Sequence, residues 1–222
     1  MIASVAVILC TFVFCAATDD SASCNRNTDD QTRMNGYDFL QPNCRVFLVA
    51  TSMESIFKLK DGTQIECISA VTNEKLENTH TVMETVDYKN ASSNEWERFS
   101  QWYTFEPQSG TYNHMKITEL NGAPQGIYKF LLTTQGCAVV EVKEYTFRED
   151  VDEEVTVVQE RTDGSGSNGK PHCMMWEKEG NTDATQTCCE PFFRENCKEK
   201  KRAYQYTPRK CEVPKYEDDS EL

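Results

Sequence analysis

From Cys44 onward the chain alternates between runs dense in β-branched and aromatic residues and short polar segments rich in Gly, Asn, Asp and Pro. The runs are CRVFLVATSM (44–53), IECISAVT (65–72), THTVMETVDY (79–88), EWERFSQWYTFE (95–106), GTYNHMKITEL (110–120), GIYKFLLTT (126–134) and CAVVEVKEYTF (137–147). Turn signals such as Asp61-Gly62 and Gln135-Gly136 separate them, and HCMMWEKE (172–179) has the same character. Short strands in close succession with such punctuation predict an antiparallel meander.

Residues 95–105 carry an informative period of two. Trp96, Arg98, Ser100, Trp102 and Thr104 share one face; Glu97, Phe99, Gln101, Tyr103 and Phe105 share the other. Both faces mix aromatic with polar residues. A solid sandwich core calls for a cleaner apolar face, whereas a barrel around a partly polar interior tolerates the mixture. An edge strand would look similar.

The period changes near the C-terminus. Cys189, Phe193, Cys197 and Tyr204 fall on one helical face. Thr187 with Glu190 makes a capping box, and Pro191 sits in the first turn, so a helix is predicted over 187–204. Residues 148–171 form an acidic insertion around VTVV, read as a mobile loop or an extra hairpin. Residues 18–43 read as a polar N-terminal arm, and 212–222 as an acidic tail. Residues 1–17 (MIASVAVILCTFVFCAA) carry no charge and end in small residues, the pattern of a secretory signal peptide. As a membrane anchor the stretch is short, since roughly 20 apolar residues are needed to span.

Charge and cysteine content narrow the class. The 222 residues carry a net charge of −13, which argues against nucleic acid or an anionic membrane as partner. The length suits one domain, 44–211, with a real core. Of 11 cysteines, Cys10 and Cys15 lie in the signal segment. The other nine, in an oxidising compartment, read as bridges with one left over. Cys188 and Cys189 are adjacent, too close to bridge each other without strain, so they serve two partners.

Other constellations fail on context. Gly164, Gly166 and Gly169 spell G-x-G-x-x-G, but Pro171 follows and no helix opens behind them. His172, Cys173, Cys188 and Cys189 lack the short paired spacings of a zinc site. His80 and His114 stand in strand-like runs with no nucleophile motif. Neither cofactor nor metal is expected, and no enzymatic constellation is recognisable. Asn90-Ala91-Ser92 is the one glycosylation sequon.

Taken in order, several landmarks resemble the tick salivary lipocalins of the histamine-binding family. They are Ile65-Glu66-Cys67, Cys137 opening CAVVEV, Cys173-Met174-Met175-Trp176, Cys188-Cys189 with Phe193, Cys197, and Cys211 after Tyr204-x-Tyr206. The resemblance covers roughly Cys24 to Cys211; the broader lipocalin G-x-W signature is absent. It implies an all-β fold, an eight-stranded antiparallel up-and-down lipocalin barrel with a C-terminal α-helix, stapled by disulfides. It also implies the bridges Cys67–Cys211, Cys137–Cys189 and Cys24–Cys188. Cys173–Cys197 is then the preferred further pair, leaving Cys44 odd.

By the same resemblance the protein is secreted and sequesters a small host mediator, a biogenic amine or a lipid such as a leukotriene. The alternative is a protein-binding antagonist of a host complement or haemostatic factor, acting through surface loops. Amine-binding members carry acidic groups at places that here hold Ala138, Met174 and Met175, and only Trp176 is kept. Ala138 and Met174 therefore suit an apolar or amphipathic guest, with Trp176, Phe47, Trp102 and Tyr103 supplying stacking surface. Glu54, Glu97 or Glu141 would restore an amine site if one pointed inward.

Overall fold

The computed structural model describes residues 34–53, 56, 63–118, 125–146, 169–198 and 211–212. Eight strands form a closed barrel in sequence order: β1 (Arg45–Thr51), β2 (Ile65–Leu76), β3 (Thr81–Asn90), β4 (Trp96–Gln108), β5 (Thr111–Ile117), β6 (Gln125–Thr133), β7 (Cys137–Thr146) and β8 (Cys173–Lys178). Every neighbouring pair is antiparallel, and β8 closes on β1 through Leu48↔Trp176 and Thr51↔Met174. Closure pairs both edges of the sheet and leaves none open to another chain.

Alternation along the strands, with a bulge between Leu48 and Ala50 that reverses the parity of β1, separates two cores. Val46, Leu48, Val82, Tyr103, Phe105, Tyr128, Phe130, Ala138, Val140 and Met174 meet inside the barrel. Ala50, Val139, Met175 and Phe193 pack with Cys137, Cys173, Cys189 and Cys197 under the C-terminal helix, on the outer wall. Met174 and Met175 thus divide between the two, as neighbours on a strand must.

A four-residue helix, α1 (Gly36–Phe39), is capped by Asn35, whose side chain accepts from the Asp38 backbone N–H. It plugs one end of the barrel: Tyr37, Phe39 and Leu40 are buried in the interior cluster. A Cβ on Gly36 would lie 2.4 Å from the Phe130 ring, so only glycine permits that approach. The polar arm expected over 18–43 therefore ends earlier. Tyr37-Asp38-Phe39-Leu40 carries enough apolar surface to be drawn into the core.

The C-terminal helix also differs from the prediction. It opens at Thr182 (α2, Thr182–Ala184), widens into a π turn over Thr185–Cys189, and continues as α3 (Glu190–Asn196). Thr187 is no cap, since its hydroxyl donates to the Asp183 carbonyl at 2.7 Å inside a helical turn. Pro191 lacks an N–H and crowds the carbonyl four residues back, and a π turn just before it relieves both problems. The helix ends at Cys197, which is extended, and Tyr204 lies outside the described residues. Cys189, Phe193 and Cys197 do face the wall together.

Three disulfides are defined: Cys67–Cys211, Cys137–Cys189 and Cys173–Cys197. The last two clamp the helix to β7 and β8. Cys188 is disulfide-bonded separately from Cys189, while Cys24 lies outside the described residues. Cys44, the odd cysteine of the sequence reading, is disulfide-bonded as well. The expectation that Cys44 is left over is thus corrected.

Candidate functional site

The barrel interior is the natural seat for a small ligand, and strand parity decides which side chains reach it. Trp176 and Met174 lie on the inward phase of β8, and Ala138, opposite Trp176, on that of β7. Tyr103 enters from β4, its ring 6.3 Å from that of Tyr128 on β6 in an edge-on arrangement. These four candidates come together.

Phe47 and Trp102 do not join them. Phe47 stands between Val46 and Leu48, which both face inward, so it faces out. Trp102 precedes the inward Tyr103 and lies opposite Met83 on the outer face. Two successive strand residues cannot share one face, and this applies to Trp102 and Tyr103 as a pair.

The central charged group is one that the sequence reading passed over. Glu84 sits on β3 between inward Val82 and Val86, in register with Thr72 on β2 and Gln101 on β4. It is 5% exposed. Its Oε1 accepts from the Thr72 hydroxyl at 2.5 Å, and among the described residues its Oε2 has no hydrogen-bond partner. Burial raises its pKa from the ordinary carboxylate range to about 7, against the smaller opposing effect of the Thr72 hydrogen bond. Burial, then Tyr128 and Glu84, likewise raises the Tyr103 hydroxyl well above its usual value. The signal was present in the sequence: Val82-x-Glu84-x-Val86 sets a carboxylate in an apolar phase.

Glu97, Glu141 and Glu54 do not share one place. Glu97 shares the inward phase of Tyr103 and lies towards the end opposite α1, accepting from Tyr88 Oη at 2.8 Å and Asn90 Nδ2 at 3.2 Å. Glu141 alternates with inward Val140 and Val142 and pairs with Lys143 on the outside. Glu54 lies outside the described residues, as does insertion 148–168.

A second carboxylate is fully buried, but on the outer wall. Asp87 receives Arg45 Nη1 and Arg98 Nε, each at 2.7 Å, and Arg45 also donates to Ser69 Oγ at 2.8 Å. Both oxygens of Asp87 are occupied, and the cluster ties β1 to β4 together. Among the described residues, Glu84 has one oxygen committed and one open inside the barrel, whereas both oxygens of Glu97 accept hydrogen bonds.

No curated protein matches the chain. The family model described as tick histamine binding protein matches residues 24–213, a span that holds all eight strands, the helix and the three bridges. With an eight-stranded barrel, a buried interior carboxylate and that match, the chain belongs to the tick histamine-binding protein family.

Proposed function

We propose that the barrel binds and sequesters a small cationic mediator, a biogenic amine such as histamine, whose ammonium sits on Glu84. The observation that carries this reading is the open Oε2 of a carboxylate only 5% exposed. Burying an ammonium without a counter-charge costs several kcal/mol, whereas a carboxylate already desolvated on folding removes most of that cost on binding. Trp176 and Tyr103 flank the interior as stacking surfaces. Ala138 and Met174 offer an apolar guest only dispersion, whereas Glu84 offers an amine a charge. Secretion after removal of 1–17, action against host defence during feeding, and a glycan on Asn90 complete the proposal. Asn90 ends β3 at a turn, where its side-chain oxygen already accepts from Ser92 N and Ser93 N.

Calorimetry with histamine, serotonin and a leukotriene tests the reading. The wild-type protein should bind an amine, and Glu84→Gln should weaken it by about 3 kcal/mol, roughly a hundredfold. Equal amine affinity in both proteins, or binding of the leukotriene alone, sinks the proposal.

A further inference from the structure

A second unmatched charge lies at the end of the barrel closed by α1. Lys178, the last residue of β8, continues the inward phase of Met174 and Trp176 and is 2% exposed. Its Nζ stands 4.8 Å from the centre of the Phe39 ring of α1. Among the described residues that ammonium has no hydrogen-bond or ion-pair partner. Lys75, near the end of β2, reaches the same end of the barrel. Its Nζ donates to the Tyr37 carbonyl at 2.9 Å and lies 4.0 Å from the centre of the Tyr37 ring. Burial, and then Lys75, lower the pKa of Lys178 to about 8. Asp38 and Glu77 act on Lys75 and not on Lys178.

Physical economy argues against an idle lysine here. A methionine would fill the same space and keep the contact with Phe39 without desolvating a charge. A contact with one phenylalanine ring compensates only a small part of that desolvation. What would compensate it is an anion, and the adjacent inward residues on β8 are apolar, Trp176 and Met174.

We propose that Lys178, backed by Lys75, is an anion seat at the closed end of the barrel, and that it takes the carboxylate of an amphipathic ligand whose chain lies along Trp176. The seat does not involve Glu84 and does not rest on the amine reading, although both ligands would pass Trp176.

The test uses the full-length, disulfide-bonded protein and a fluorescent conjugated polyene fatty acid, compared with the alcohol of the same chain. The acid should bind about tenfold more tightly than the alcohol. Lys178→Met and Lys178→Gln should each abolish that difference while leaving alcohol binding and histamine titration unchanged. Competition by acetate or phosphate, lost in the same variants, would also support the seat and would assign it to a free small anion. Equal binding of acid and alcohol with no anion competition overturns it, as does an acid preference that persists in either variant. Histamine titration of the same samples reports on Glu84 separately, so failure of one site is not mistaken for failure of the other.

Discussion

At the scale of the residue, Glu84 makes the protein sensitive to pH in two opposite ways. Its folded-state pKa of about 7 lies above the ordinary carboxylate value, so folding favours the protonated form. That stability is present at low pH and is lost as the pH rises through about 7. Without ligand, Glu84→Gln should remove roughly 3 kcal/mol of this pH dependence, read from denaturant melts between about pH 5 and pH 8. Amine binding runs the other way, because the ammonium needs the carboxylate ionised. Lowering the pH from about 8 to about 6 should weaken an amine roughly tenfold, with a proton released on binding near neutrality. Thr72 sharpens this further, since its hydroxyl holds Oε1 and lowers the Glu84 pKa. In Thr72→Val the midpoint of amine binding should move to higher pH, a shift that a purely structural role for Thr72 would not produce.

At the scale of the element, the C-terminal helix owes its position to the wall it covers more than to its own turns. Its first segment is three residues long, followed by a π turn and a seven-residue helix, all too short to persist alone. Phe193, 1% exposed, inserts among Val139, Met175 and Ala50, between the two helix–wall bridges. Phe193→Ala should cost about 3–4 kcal/mol in chemical denaturation. Because this core lies outside the barrel, amine affinity should stay within about twofold of wild type. The helix was visible in the sequence through Cys189, Phe193 and Cys197, but its start was not. A Thr-x-x-Glu pattern has the same spelling whether it caps a helix or lies within one, and the choice depends on packing against β7 and β8.

At the scale of the whole molecule, Cys67–Cys211 spans 144 residues of sequence and closes most of the barrel into one loop. In the chain-entropy model such a bridge contributes about 5 kcal/mol. Cys67 holds a positive φ of 58° where the register shifts between Glu66 and Ser69. A Cys67→Ser, Cys211→Ser double variant should lose a large part of that stability in denaturant titrations and still show a β-sheet far-ultraviolet spectrum. The order of the eight strands, the two-residue period on β4 and the helix-facing cysteines were all legible along the chain, because each follows from local spacing. Parity errors at Phe47 and Trp102 arose where a single strand was read without its neighbours, and the inward phase is set only when the sheet closes. The plug of α1 under Phe130, the open oxygen of Glu84 and the unmatched ammonium of Lys178 belong to the tertiary structure alone. Sequence determines which side chains alternate; the closed barrel decides which of them lose water, and the chemistry of the interior follows from that loss.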